Sequence, residues 1–224
     1  MATASRNRRK PAPREELKSA SGLYSVHPSL ALVRDWIDAL KVKTGRSLEE
    51  WVAHIKEQGP KDVKGAREWL KAEHALGTNS AWWLADRAFG VEGSDEDNPD
   101  AYLAMAEKHV DEMYAGGKAA LRPLYDRLLK LGLAAGKDAK ACPCKTIVPL
   151  FRNHVFAQLK PSTRTRIDLG LALARHKGKL PARLIDTGGL ARKDRITHRI
   201  EIASAPDIDR DVEKWLKVAY DLDA

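Results

Sequence analysis

Residues 154–173, HVFAQLKPSTRTRIDLGLAL, determine the class of fold expected for this chain. Before Pro161, residues 154, 156 and 158 (His, Phe and Gln) alternate with residues 155, 157 and 159 (Val, Ala and Leu). After Pro161, apolar residues alternate with Arg166, Asp168, Gly170 and Ala172. A period of two is typical of strands with one buried face. Short separations between such runs, as between Leu150 and Val155, favour antiparallel hairpins over crossovers through a helix. The alternating apolar positions of the second run are Ile167, Leu169, Leu171 and Leu173.

The segments on either side extend this sheet into an α+β module over residues 101–224. Ile200 and Ile202 alternate with charged neighbours and predict another strand. Apolar residues at helical spacing predict helices packed on the antiparallel sheet. The predicted helices cover 101–114, a segment after 116–117, and 209–220.

Residues 23–90 are predicted to form a small all-helical module of four short helices. Ser47 and Glu50 make a Ser-x-x-Glu capping box, in which the two side chains satisfy backbone N–H groups at a helix start. Thr78 or Asn79 is expected to cap the fourth helix.

Tryptophans are concentrated in this helical module. Each predicted helix carries at least one, and the fourth carries the adjacent pair Trp82 and Trp83. Adjacent residues of a helix point about 100° apart, so both rings cannot lie at the centre of one buried face. We therefore predict that Trp82 and Trp83 take part in binding a protein partner or the other module.

Two polar segments mark the expected boundaries. Residues 91–100, VEGSDEDNPD, form an acidic linker with five carboxylates. Residues 1–22 are predicted to be a disordered basic tail, because they have almost no apolar side chains to repay the entropy of ordering. The tail is interpreted either as a polyanion-binding arm or as a solubilising leader.

Residues 44–88, TGRSLEEWVAHIKEQGPKDVKGAREWLKAEHALGTNSAWWLADRA, resemble the bacterial family called domain of unknown function 4287. The strings TGRSLEEW and WLKAEH carry the likeness. The resemblance implies no activity and no catalytic residues.

Residues 121–224 resemble a second uncharacterised bacterial family, domain of unknown function 5655. The likeness rests on KTIVPLFRNHVFAQLKPSTRTRIDLGLAL, on THRIEI at 197–202 and on VEKWLKVAYDL near the end. It too implies no residue roles.

The charge distribution points to an anionic partner. The formal net charge is +8, and residues 152–199 contain twelve cationic side chains against three carboxylates. Guanidinium groups on an open sheet face suit phosphate oxygens. We therefore predict nucleic acid or another polyanion as the partner. The anion-binding residues predicted for this surface are Arg152, Arg164, Arg166 and Arg175.

The sequence favours a non-catalytic binding or adaptor protein. It contains no nucleophile elbow, phosphate loop, dinucleotide fingerprint or His-Glu-x-x-His motif, and it predicts no cofactor. Cys142 and Cys144 with scattered histidines lack the spacing of a zinc site, so no metal is predicted. The alternative is a small enzyme of unknown reaction with a pocket around His154 and His198.

The expected location is the cytoplasm. No apolar run is long enough to span a membrane, and no apolar segment follows the basic start as in a signal peptide. The two cysteines, separated only by Pro143, are predicted to be reduced thiols.

Overall fold

The computed structural model describes residues 17–92, 94–95 and 97–224, so most of the predicted tail lies outside the described residues. Within them, the first half of the chain is helical, as predicted. The helices of this half are α1 (Ser29–Thr44), α2 (Leu48–Gln58), α3 (Val63–His74) and α4 (Thr78–Phe89).

The starts of these helices follow from local hydrogen bonds. At α2 the Glu50 N–H donates to Ser47 Oγ at 3.3 Å and the Ser47 N–H donates to Glu50 Oε2 at 2.7 Å, which confirms the capping box. Helix α4 is instead capped by Gly77, without a side-chain hydrogen bond, so the prediction of Thr78 or Asn79 is wrong. Gly77 has the extended backbone of a cap (φ −60°, ψ 152°), and Thr78 is already helical.

A core of buried apolar side chains holds the helical domain together. Trp51 lies at its centre, and its Nε1–H donates to Thr44 Oγ1 at 2.8 Å, so that burying the indole leaves no donor unpaired. Leu40, Leu48, Trp51, Ile55, Ala66, Leu70, Ala81, Leu84, Ala85 and Ala88 form this core.

The second half consists of helices packed on a six-stranded antiparallel sheet, which confirms the predicted α+β class. The helices are α5 (Pro99–Met113), α6 (Arg122–Leu133) and α7 (Arg210–Asp221), and the strands are β1 (Lys140–Ala141), β2 (Val148–Phe151), β3 (Val155–Lys160), β4 (Ile167–Leu171), β5 (Ile185–Asp186) and β6 (His198–Ile202). The strand order is β1-β2-β3-β4-β6-β5. A 3-10 helix, Gly116–Leu121, joins α5 to α6. No helix in the described part of the chain is both long and apolar enough to cross a membrane.

The register separates an apolar sheet face from a charged one. Leu169 on β4 lies opposite Leu159 on β3 and Ile200 on β6, and all three are fully buried in a core shared with α6 and α7. On the other face Asp168 lies opposite Glu201. Successive side chains of a strand point to opposite faces, so the alternation in the sequence produces this division.

Residues 17–27 lie against the sheet domain. The Ser25 N–H donates to the Ala141 carbonyl at 2.9 Å, and Tyr24 Oη lies 3.0 Å from Tyr125 Oη in the core. This segment spans the predicted boundary between the tail and the helical module. Its buried Tyr24 ring attaches it to the core of the sheet domain.

Helix α5 begins inside the segment predicted to be an acidic linker. The Asp100 N–H donates to Asn98 Oδ1 at 2.9 Å, which makes Asn98 the cap of a helix that starts at Pro99. Asp97 pairs with Arg87 of α4, with 2.7 Å between oxygen and nitrogen. The end of the predicted linker therefore contacts α4 through Asp97 and begins α5 through Asn98.

Candidate anion-binding site

The four arginines predicted to bind an anion lie in two separate places. Arg164 and Arg166 precede β4, whereas Arg175 follows it, so they lie towards opposite ends of that strand. Arg152 lies with Arg175, since they donate to backbone carbonyls near the end of α7 at 3.2 Å and 3.4 Å. The arginines expected to share one basic surface therefore form two groups, which lie towards opposite ends of β4.

Arg166 belongs to a neutral group of four charges on the outer sheet face. Its Nη1 lies 2.9 Å from Glu201 Oε1, and its Nε lies 2.9 Å from Asp168 Oδ1. Arg199 completes the group, at 2.9 Å from Glu201 and 3.4 Å from Asp168. The two carboxylates face each other across neighbouring strands, where like charges repel, and the two arginines compensate them. Arg166 is therefore already occupied by carboxylates.

Arg152 is also engaged within the domain. Its Nε lies 3.5 Å from Asp138 Oδ2, and its guanidinium carbon lies 4.4 Å from the centre of the Tyr220 ring. The ring contact holds the guanidinium against α7, and Asp138 lies in the segment between α6 and β1. Arg152 is therefore held by contacts within the domain.

Arg164 lines a cationic cleft of about 640 Å³. We use this name for the cleft formed by Lys118, Lys145, Lys160 and Arg164. Of the described residues that line it, Glu112 is the one carboxylate, and its Oε1 lies 3.9 Å from Lys108 Nζ. Thr146 adds a hydroxyl group, whereas the Ser162 hydroxyl donates to Asp168 Oδ2 at 2.7 Å. The cleft thus joins four cations and the Thr146 hydroxyl, donors of the kind that bind phosphate oxygens.

Three connections of the sheet domain supply the cations. Lys118 comes from the 3-10 helix before α6, and its Nζ donates to the Pro161 carbonyl at 2.7 Å, which ties that helix to the loop after β3. Lys160 ends β3, and Lys145 lies in the loop before β2. Because these segments converge on one edge of the sheet, cations distant in sequence become neighbours.

The Arg164 stem lies over the backbone at Gly117. A Cβ atom at this position would lie 3.4 Å from both Cδ and Nε of Arg164, at the limit of an ordinary contact.

The cations that line the cleft form no ion pair with a carboxylate among the described residues. Lys145, Lys160 and Arg164 are all exposed and within the described residues form no ion pair. At the margin, the hydrogen bond from Lys108 holds the pKa of Glu92 below its usual range, and the charge of Lys145 acts in the same direction.

The structure places the two histidines of the enzyme alternative in different hydrogen-bond groups. His154 Nδ1 lies 3.1 Å from Asp223 Oδ1, and the His154 backbone N–H donates to Asp223 Oδ2 at 2.7 Å. Asp223 is 2% exposed and also pairs with Arg195, whereas His154 is 63% exposed. His198 Nδ1 lies 3.0 Å from Thr197 Oγ1 instead.

Trp82 and Trp83 have different neighbours, as adjacent helix positions require. Trp82 is 47% exposed, and Arg67 Cζ lies 5.1 Å from its ring centre. Trp83 is half-buried, with its ring centre 5.0 Å from that of Trp36 on α1. Their binding of a partner stays a prediction.

Over residues 17–92, 94–95 and 97–224, no three His, Cys, Asp or Glu side chains are grouped so as to hold a metal ion. Cys142 and Cys144 are not joined in a disulfide.

Sequence reasoning missed three of the four cations of the cleft. Lys160 lies inside the basic run that the sequence singles out, but Lys118 and Lys145 lie outside it, and nothing local distinguishes them from other exposed lysines. The Gly116–Gly117 pair before a helix was the one local signal of a close approach.

The fold and the cleft define a class of protein: a helical domain followed by an α+β domain with a cationic cleft at one sheet edge. Residues 110–223, about half of the chain, match the family described as Domain of unknown function (DUF5655). The chain belongs to that family. Residues 33–88 match Domain of unknown function (DUF4287), which confirms the arrangement of the two resemblances. No curated protein and no solved structure matches the chain significantly.

Proposed function

We propose that the α+β domain binds the sugar–phosphate backbone of a nucleic acid in the cationic cleft, and that the protein acts by binding. The observation that carries the proposal is the set of four cations facing one carboxylate in a single cleft. Cations without carboxylate partners lower the free energy of a polyanion by replacing its counterions.

The composition of the cleft supports contact with the backbone rather than with bases. None of the described residues that line it is aromatic, so it offers no ring on which a base could stack. Binding of this kind depends weakly on sequence and steeply on salt. A cytoplasmic location, in keeping with two cysteines that form no disulfide, is part of the proposal.

Salt-dependent fluorescence anisotropy with a labelled single-stranded oligonucleotide of mixed sequence tests the proposal. The triple variant Lys145→Gln, Lys160→Gln, Arg164→Gln removes three cleft cations. The slope of log K against log salt should become shallower by about 2, since each phosphate contact to a single strand contributes about 0.7.

Two further proteins make the measurement decisive. The control triple variant Lys43→Gln, Lys56→Gln, Lys64→Gln removes the same charge from exposed positions of the helical domain. It should leave the slope nearly unchanged. A chain without residues 1–16 separates the contribution of the basic tail and leaves the packed segment from residue 17 intact. If the cleft and control variants lose affinity equally, or if no binding occurs at low salt, the cleft is not the site.

An enzyme acting on a small anion is a second candidate, favoured by the orientation of His154. The buried Asp223 carboxylate fixes Nδ1, which leaves Nε2 of the exposed ring for proton transfer. A cavity of about 250 Å³ includes Asp223 in its lining. Its other charged lining residues are Arg175, Lys193, Asp194 and Arg195. Hydrolysis of p-nitrophenyl phosphate or acetate that is lost in His154→Gln and kept in His198→Gln would support it; absence of any turnover would remove it.

A further inference from the structure

Two histidines of the helical domain face each other across a pair of helices. His54 lies on α2 and His74 is the last residue of α3, and their Nε2 atoms are 3.2 Å apart. The ring centres are 4.9 Å apart, and the ring planes meet at 78°. Both side chains are half-buried.

The two nitrogens lie within hydrogen-bond distance of each other, and their arrangement also suits a shared metal ion. A straight N–H···N bond of this length would place the ring centres farther apart than 4.9 Å, so at least one ring axis is inclined to the line between the nitrogens. Two nitrogens bound to a tetrahedral zinc ion at about 2.0–2.1 Å lie about 3.3–3.4 Å apart, with both ring axes inclined towards the ion. The observed 3.2 Å separation is close to that value.

The packing around the pair holds both rings in place. The His74 ring centre lies 4.5 Å from that of Trp69 and 5.1 Å from that of Trp51. A Cβ atom on Gly59 would lie 3.2 Å from the Trp69 ring, so the absence of a side chain there lets Trp69 approach. Fixed ligand rings reduce the entropy lost when a metal binds.

The helix end also determines the position of His74. Ala75 follows it in the left-handed region, with φ 52°, and ends α3. This conformation costs a non-glycine residue free energy. The residue that follows His74 therefore has an unfavourable backbone conformation, and the His74 ring lies against His54.

The charged groups near the pair are of both signs: Arg46 acts on both rings, Glu57 acts on His54 and Glu73 acts on His74. Metal binding would therefore depend on the two ring nitrogens and not on an excess of negative charge.

We propose that His54 and His74 together bind one divalent transition-metal ion of the zinc class. No third His, Cys, Asp or Glu joins them among the described residues, so water completes the coordination and the site remains open to a further ligand. The ion links α2 to α3 and stabilises the helical domain by mass action. This inference is independent of the cationic cleft.

Titration of the full chain with ZnCl2 in a calorimeter tests the site, together with quenching of tryptophan fluorescence by CuCl2. Trp51 and Trp69 adjoin the pair, so copper should quench in a saturable way with one ion per chain. His54→Gln and His74→Gln should each weaken binding at least tenfold and abolish the rise in Tm that zinc produces. His176→Gln is the matched control, since that histidine also packs against a tryptophan, with the His176 and Trp215 ring centres 5.4 Å apart.

The outcomes distinguish the proposal from unspecific binding. Undiminished affinity in either glutamine variant, or no saturable binding at millimolar ion, overturns it. Because a substitution at His54 could unfold the domain, the nitrogen shifts of all seven histidines in the unaltered chain provide a second measurement. Zinc should shift Nε2 of His54 and His74 alone, and shifts elsewhere without these two contradict the site.

Discussion

The contact between α6 and β2 at Gly132 offers a prediction whose sign depends on one neighbouring atom. Gly132 is buried in α6 with ordinary backbone angles, and a Cβ atom there would overlap Cδ1 of Leu150, which is fully buried in β2. Gly132→Ala therefore changes two opposing quantities, the helix propensity and the packing of the core.

The overlap is expected to outweigh the gain in helix propensity. Replacing glycine by alanine in a helix interior stabilises by about 1 kcal/mol, and by less here because Gly132 is the second-last residue of α6. Inserting a methyl group into a well-packed core costs about 1–3 kcal/mol. We expect the free energy of unfolding to fall by about 1 kcal/mol, as the difference of these effects.

The Leu150→Val background should reverse the sign. Valine ends at Cγ, and Cγ of Leu150 lies 3.5 Å from the added Cβ atom, an ordinary contact. Leu150→Val alone costs about 1 kcal/mol through the lost methylene. In that background Gly132→Ala should be neutral or stabilising, with a coupling energy of at least about 1 kcal/mol.

Urea unfolding of the four proteins, followed by far-UV circular dichroism, measures this cycle. Hydrogen exchange of residues 148–160 shows whether the change lies in the sheet domain rather than in the helical one. Additive effects of the two substitutions would refute the assigned contact, as would a stabilising Gly132→Ala in the unaltered chain.

Two other predictions concern buried tyrosines and an acidic turn. Tyr114 Oη is buried and has no hydrogen-bond partner in the described chain, so Tyr114→Phe should keep or raise the free energy of unfolding by up to about 1 kcal/mol. Tyr24→Phe, which removes the hydrogen bond to Tyr125, should lower it by about 1 kcal/mol in the same urea assay; the reverse order would contradict the assignment. Hydrogen bonds from the Ala203 N–H and then from the Ser204 side chain hold the pKa of Asp207 below 3.8, so its stabilisation is present above that pH and is lost as pH falls through the lower folded value. The stability difference between the native chain and Asp207→Asn should therefore shrink from pH 6 to pH 2, and a constant difference would show that the carboxylate does not act through its charge.

The sequence by itself determined the features that depend on neighbouring residues. Ser47 and Glu50 satisfy each other's backbone donors within one helical turn, so the capping box was readable and is present. The alternation around Leu169 follows from the geometry of a strand, and it placed the buried face of β4 correctly. Even the local signals failed where two neighbours competed, as at the cap of α4, which is Gly77.

Only the tertiary structure decided which charges and ligands are available for binding. From the sequence, Arg166 is predicted to be a free cation. In the structure, strand pairing brings Glu201, 35 residues later in the sequence, within 2.9 Å of its guanidinium. His54 and His74 read as unrelated until the packing of α2 on α3 brings their nitrogens together. Coulomb interactions and metal coordination act over a few ångströms in space regardless of distance along the chain, so the pairing of strands and helices determines them.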